Sequence, residues 1–284
     1  MTLEVLSSGP MSTVQDLGRP GLSGIGVGAS GAADPEAFRL ANRLVGNDEG
    51  AAAVEVTLGG LAVRANRALT VALTGAPCPI TIDGRTAAAY SVLRVPAGSD
   101  LRLGVPQRGL RSYLGVRGGI AVEPVLGSRS TDVLSGLGPD ALETGRELPV
   151  GPAPEAFPCV DQAPVAPYPA GELVLRVRPG PRDDWFTHEA LRTLLDSSYE
   201  VTAESNRIGM RLDGPALERA RTDELPSEGM VTGALQVPPA ARPTLFLADH
   251  PVTGGYPVIA VVHRSDIPGA AQARPGQRIR FSTR

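Results

Sequence analysis

Glycine and proline interrupt this chain so often that long helices and long strands are excluded. Its 34 glycines and 27 prolines lie between short apolar runs, without the three-residue period of collagen. A chain broken this way buries its core by stacking many short strands joined by turns. At 284 residues it has length for one large β-rich domain or two medium ones. Apolar residues make up 42% and aromatic residues only 4%, so Leu, Val, Ala and Ile must do most of the packing. The expected class is mainly β, a β-rich α+β chain built as a barrel or a sandwich.

The runs can be placed in order. Leu3–Leu6 reads as a strand, Ser7–Arg19 as a polar loop, and Ser23–Gly31 as a flexible glycine-rich segment. A helix follows, capped by Asp34, entered through Pro35 and closed near Gly46, with Phe38, Ala41, Leu44 and Val45 on its buried face. Strands are expected at Val54–Leu58, Leu61–Val63, Leu69–Leu73, Ile80–Ile82, Ser91–Val95, Leu101–Val105 and Arg111–Val116, with Asp83-Gly84 as a tight turn. Seven prolines between Pro149 and Pro169 mark a linker or a segment wrapped across the surface. They separate an N-terminal subdomain (1–165) from a C-terminal one (170–284). The second opens on Leu173–Val177 and carries a helix over Trp185–Leu195. It continues with a strand at Tyr199–Ala203 and a short helix from Asp213-Gly214-Pro215 to Arg219. Strands then follow at Ala234–Val237, Leu245–Leu247, Val258–Val262 and Gln277–Phe281.

Charge and composition exclude several functions. All 27 basic residues are arginine, so no side chain can form a Schiff base, carry biotin or supply the lysine of a phosphate loop. A net charge of −3 without a basic stripe disfavours nucleic acid. No apolar run reaches the length of about 18 residues that a membrane helix needs, and no export signal is visible, so a cytoplasmic location is expected. Cys78 and Cys159 are isolated and read as reduced thiols, although a disulfide is open to them. Together with three scattered histidines they match no local zinc pattern.

Polar residues of chemical interest gather between Ser205 and Tyr256. Arg207 at a strand entrance can grip a planar carboxylate or amide, or pin a loop through an internal ion pair such as one with Glu228. Glu228 can accept a substrate hydrogen bond or act as base, and Gln236 can donate to and accept from a planar ring amide. Both residues can equally brace crossing strands. Asp249 and His250 follow an apolar strand, and His250 has proton-transfer chemistry near neutral pH. Neighbours on a strand face opposite ways, so Asp249 need not orient it. Thr253, Gly254, Gly255 and Tyr256 form a tight loop that can bring backbone amides and an aromatic edge to a ligand. Earlier in the chain, Gln15 and Asp16 are either substrate contacts or a loop cap with Arg19 as surface partner. Ser30 and nearby amides can hold an anion, although Gly24–Gly31 lacks the strand and helix of a dinucleotide fingerprint.

The segments TVQDLGRPG, GASGAAD, ANRLVGN, VEVTLGG, SNRIGMRL, SEGMVTGALQVPP, VTGGYPVIAVV and DIPGAAQARPGQRIRF resemble, in order, the allophanate hydrolase subunit 2 family. That family includes the C-type subunit of 5-oxoprolinase, KipA and the carboxyltransferase part of urea carboxylase. The resemblance implies two linked β-barrel-like subdomains, the C-terminal one cyclophilin-like, with a cleft between them. It implies a subunit of an ATP-hydrolysing 5-oxoprolinase that opens 5-oxoproline to L-glutamate, active only with subunit-B-like (KipI-like) and subunit-A-like partners. ATP with Mg2+ would then serve the complex. Two alternatives share the resemblance: a carboxyltransferase using biotin carried on another chain, and a non-catalytic KipA-like protein that binds a KipI-like inhibitor. A freestanding chain of this length favours the first reading. Where relatives resemble DRQTTGGYP, this chain has DHPVTGGYP. His250, Pro251 and Val252 thereby remove a guanidinium and an amide and stiffen the loop.

Overall fold

The computed structural model describes residues 2–157, 160–169 and 171–284. Cys159 lies outside them. Contacts divide the chain into two compact units. The first comprises Met1–Arg19, Ser30–Asp132 and Gly136–Tyr168. The second comprises Pro20–Ala29, Val133–Ser135 and Pro169–Arg284.

The first unit carries strands β1 (Thr2–Ser8), β2 (Met11–Gln15), β3 (Ala53–Thr57), β4 (Leu61–Ala65), β5 (Leu69–Gly75), β6 (Ile80–Ile82), β7 (Arg85–Ala87), β8 (Val92–Val95), β9 (Asp100–Leu103), β10 (Arg111–Val116) and β11 (Glu147–Pro149), with helix α1 (Pro35–Leu44). They form a six-stranded sheet, β11-β1-β4-β9-β6-β7, and a five-stranded sheet, β2-β3-β10-β5-β8. Both sheets contribute to one apolar core, with Leu3, Val5, Leu61 and Leu101 from the first and Val14, Val54, Leu73 and Leu114 from the second. The unit is therefore two facing open sheets, and among the described residues no strand pairing closes them into a barrel. Strand β10 is buried along its whole length because both of its faces are covered. Leu114 and Val116 enter the core, while Tyr113 meets Phe38 of α1 edge-on at 6.1 Å. Gly115 must lack a side chain there: a Cβ would fall 2.9 Å from the Ala41 carbonyl oxygen. Asp34 caps α1 as the sequence predicts, accepting from the Ala37 amide at 3.0 Å.

The expected loop over Ser7–Arg19 contains β2. The left-handed Gly9 (φ 64°) turns the chain, and Met11–Gln15 pair in register with Ala53–Thr57. The proline-rich segment wraps the first unit: Arg117 donates to the Pro154 and Ala156 carbonyls, and the Tyr168 hydroxyl donates to Asp34. Cys78 is a free, buried thiol, and burial pushes its pKa up to about 11.

The second unit carries β12 (Leu173–Pro179), α2 (His188–Asp196), β13 (Ser198–Val201), β14 (Gly209–Asp213), β15 (Glu228–Gly229), β16 (Ala234–Gln236), β17 (Thr244–Phe246), β18 (Thr253–Gly254), β19 (Val258–Val262), α3 (Ile267–Ala271) and β20 (Arg278–Ser282). Seven of these strands close a barrel in the order β12-β19-β16-β17-β14-β13-β20, sealed by the parallel pair β12–β20. Alternate residues fill it: Leu175, Val201, Met210, Leu212, Leu235, Leu245, Ile259 and Phe281 share one core. The expected helix from Asp213 to Arg219 does not form. The Leu217 and Ala220 amides bond to the Ala241 and Trp185 carbonyls, which takes them out of any helical ladder. His188 is exposed on α2.

Candidate functional site

The barrel's strand alternation creates an outward face as well as a core. On β14, Met210 and Leu212 turn inward, while Gly209 and Arg211 line a groove outside. Thr244 and Phe246 of β17 and Gln236 of β16 continue the floor, and Tyr256 and Arg242 flank it. The groove encloses about 560 Å³, within the range of a small-molecule site. Its two charged pairs, Arg211–Glu204 at 2.8 Å and Arg242–Asp213 at 3.2 Å, are solvent-exposed. Each contributes only about 0–1 kcal/mol.

The SEGM and VTGGYP segments meet beside this groove. Strands β15 and β18 pair as a two-rung ladder, Glu228 with Gly254 and Gly229 with Thr253, and the Met230 amide donates to the Val252 carbonyl at 2.9 Å. Gly254 then presses on Gln236, where a Cβ would sit 2.7 Å from Nε2. That nitrogen donates to the Tyr256 carbonyl at 3.1 Å, which fixes the amide at the groove wall. Tyr256 itself is exposed, and the Arg219 guanidinium lies 5.7 Å from its ring centre. Gln236, Gly254 and Tyr256 are thus assembled together, with Thr253 and Gly255 in the same loop.

The charged candidates are each engaged. Arg207 does not pair with Glu228. Its partner is Asp249, reached by Nε and Nη2 at 2.8 Å each, with both side chains buried. Asp249 also accepts from the Val133 amide at 3.1 Å. Glu228 instead accepts both forks of Arg182, whose hydrogen bonds hold the carboxyl below its usual pKa and make it a weaker base. His250 is half-buried, with Nδ1 2.8 Å from the Pro251 carbonyl oxygen and its ring 6.3 Å from Phe246. A carbonyl only accepts, so Nδ1 is the donor in that contact.

Gln15, Asp16 and Ser30 form a separate set in the first unit. All converge on Ser130-Thr131: Gln15 Nε2 and Ser30 Oγ donate to the Thr131 carbonyl at 3.0 and 3.1 Å, and the Asp16 amide donates to Ser130 Oγ at 2.9 Å. The Asp16 carboxylate accepts from Ser128 and Ser130 hydroxyls at 2.6 Å each and from the Gly18 and Arg129 amides. Arg19 is not its surface partner. Arg19 is buried and donates to the Ser130 carbonyl. Sequence reasoning missed the Ser128–Thr131 strap and Arg182; the only signal for the first was the dense SRST run of hydroxyls after Gly127.

Among the described residues no cluster of three His, Cys, Asp or Glu side chains is placed to hold a metal ion. No helix there is long and apolar enough to cross a membrane.

The description "Carboxyltransferase domain, subdomain A and B" matches residues 25–283. The chain belongs to this family. It is similar to the C-type 5-oxoprolinase subunit of Escherichia coli K12, at 39% identity over 98% of this chain and 90% of that protein. It is also similar to urea amidolyase of Saccharomyces cerevisiae, at 33% identity, but covers only 16% of that protein. The crystal structure of TTHA0988 superposes with a TM-score of 0.90 at 35% identity, covering 99% of this chain and 55% of that one. The family member thus spans about half of that solved chain and nearly all of the bacterial subunit. The family frame also accounts for the ordered motifs, since they run through both units.

Proposed function

We propose that this chain is the C-type subunit of an ATP-dependent 5-oxoprolinase, opening 5-oxoproline to L-glutamate together with B-like (KipI-like) and A-like subunits. The observation that carries this reading is the 39% identity to a C-type 5-oxoprolinase subunit across 98% of the chain. The geometry is compatible with it. A groove of about 560 Å³ is ample for a five-membered lactam, and the Gln236 amide is fixed at its wall. In this reading Gln236, Thr253, Gly254, Gly255 and Tyr256 handle the substrate amide, and His250 Nε2 moves a proton. Arg207 and Asp249 position the loop. Gln15, Asp16 and Ser30 form a second substrate-handling set. The barrel is read as cyclophilin-like, the facing sheets as barrel-like, the domain limits as 1–165 and 170–284, and the location as cytoplasmic.

ATP and Mg2+ do not fit the residues described: the chain has no lysine, no metal-ligand cluster among the described residues, and no strand-to-helix phosphate loop at Gly24–Gly31. ATP activation of the lactam is therefore assigned to the partner subunits. Similarity to urea amidolyase favours a second reading, carboxyl transfer from biotin held by another chain. Copurification with a B-like subunit, addition of the A-like subunit and assay of glutamate and phosphate release from 5-oxoproline test the proposal. A well-folded complete complex that releases neither would refute it.

A further inference from the structure

The outward face of the barrel carries an ordered row of polar side chains. Strand β17 lies between β16 and β14. Its Leu245 is in register with Leu235 on one side and Met210 on the other, and all three fill the core. The neighbouring rung is Gln236–Thr244–Arg211. Side chains alternate along a strand, so these three point outward. All three line the groove of about 560 Å³. With adjacent strands about 4.8 Å apart, the amide and the guanidinium rise from backbones about 10 Å apart, on either side of the Thr244 hydroxyl. The rung of Gly209 and Phe246 beside them keeps the floor open. A Cβ at Gly209 would lie 2.9 Å from Thr244 Cγ2 and 3.4 Å from Phe246 Cδ1.

The two ends of this row have opposite polarity. Gln236 Nε2 donates to the Tyr256 carbonyl at 3.1 Å and to the Met230 sulfur at 3.9 Å. A carbonyl only accepts, so the first bond settles which end of the amide is nitrogen. Among the described residues nothing donates to Oε1, and that atom is not sealed from solvent. Toward the groove Gln236 is therefore an acceptor. Arg211 spends Nη1 on Glu204 at 2.8 Å. Among the described residues its Nε–Nη2 edge, which suits paired bonds to a carboxylate, meets no acceptor. Glu204 is a weak competitor for the guanidinium, because both partners are exposed and such a pair contributes little.

We propose that Arg211 and Gln236 are the two ends of one small-molecule site, which takes a carboxylate that also carries an N–H donor. The carboxylate sits on the Nε–Nη2 edge of Arg211, and the N–H donates to Gln236 Oε1. The Thr244 hydroxyl between them serves either group, since it both donates and accepts. A ligand carbonyl or ether oxygen set against Oε1 would place two acceptors face to face, so the site discriminates by polarity as well as by charge. Naming 5-oxoproline, which has both groups, rests on the oxoprolinase reading; the chemical class rests on the row alone.

Calorimetric titration of the full 284-residue chain tests this with three probes. 5-Oxoproline has both groups. Its isosteric lactone, 5-oxotetrahydrofuran-2-carboxylate, keeps the carboxylate and replaces the N–H by oxygen. 2-Pyrrolidinone keeps only the lactam. The wild type is expected to bind 5-oxoproline about fivefold or more tighter than the lactone. Arg211→Met is expected to weaken both carboxylates by about tenfold or more and leave 2-pyrrolidinone unchanged. Glu204→Gln removes the competitor and is expected to tighten both carboxylates. A merely structural ion pair predicts parallel effects of these two variants, whereas a binding site predicts opposite ones. Arg242 shares the groove but stands off the row, paired with Asp213, so Arg242→Met should cost less than Arg211→Met. Gln236→Leu is expected to erase the preference for the lactam over the lactone. Should that variant fold poorly, the wild-type preference carries the same test. Parallel effects of Arg211→Met and Glu204→Gln, an equal loss in Arg242→Met, no lactam preference, or no carboxylate-dependent binding by the wild type would overturn the site. A reconstituted enzyme that fails to open 5-oxoproline while lactone binding still needs Arg211 defeats the oxoprolinase reading and keeps the site. Turnover of 5-oxoproline indifferent to Arg211→Met does the reverse.

Discussion

Replacing Asp249 by Asn isolates the ion pair under the loop that follows β17. The carboxylate accepts Nε and Nη2 of Arg207 at 2.8 Å each and the Val133 amide at 3.1 Å, and the Asp249 amide returns a bond to the Arg207 carbonyl at 3.0 Å. The two side chains are 0% and 1% exposed. Asn keeps the volume but offers one acceptor oxygen to a two-pronged donor, and it removes the compensating charge. Breaking a buried pair from one side costs about 3–5 kcal/mol. At about 2–4 °C per kcal/mol for a chain of this size, the melting midpoint should fall by about 6–20 °C. Thermal melts followed by circular dichroism measure it. The double variant R207M/D249L removes both charges together and should recover most of the loss, since apolar replacement of a whole buried pair is near neutral. A single variant melting within about 1 °C of the wild type, or a double variant no better than the single, would refute the positioning role.

Gly254→Ala places a Cβ 2.7 Å from Gln236 Nε2 and 3.3 Å from Met230 Cγ, so the amide must leave the Tyr256 carbonyl. A destabilisation of about 1–3 kcal/mol is expected from overpacking and the lost bond, read as a shifted urea midpoint with unchanged slope. Asp266 has its carboxyl pKa lowered from 3.8 to about 2, chiefly by its hydrogen bonds with Arg176. A depressed folded-state pKa gives stability that is complete above the unfolded value and lost as pH falls through the folded one. Urea midpoints of the wild type should therefore drop from about pH 4 to pH 2 more steeply than those of Asp266→Asn. Parallel profiles would count against the linkage.

Local signals with a direct backbone consequence were the legible ones. Asp34-Pro35 set the start of α1, Asp83-Gly84 turned β6 into β7, and the RSYLGV run became a strand buried on both faces. Strand β2 was hidden because its polar residues are buried with protein partners, Ser12 on the Ser8 carbonyl and Gln15 on Thr13 and the Thr131 carbonyl, so Ser12, Thr13 and Gln15 look like loop residues yet are fully covered. Asp213-Gly214-Pro215 misled in the other direction. Its helix-start chemistry is overridden because Asp213 ends β14 and the Leu217 and Ala220 amides bond to the distant Ala241 and Trp185 carbonyls. The Gln236–Tyr256 cluster was readable as a set of residue types. Its wiring was not: Arg207 found Asp249 and Glu228 found Arg182, because pairing depends on the register of strands far apart in the chain. Burial of Arg19 was equally invisible, since it depends on the Ser130 carbonyl 111 residues away.

The most direct test of the central claim is a drop-out assay on the complete complex. Glutamate formation from 5-oxoproline is followed with ATP, with and without this chain, beside a parallel reaction supplying urea and a carboxybiotin carrier. The account predicts ATP-dependent glutamate that disappears when this chain is omitted, and no carboxylated urea. Glutamate formation that continues without the chain, or carboxylation of urea that requires it, would contradict the account.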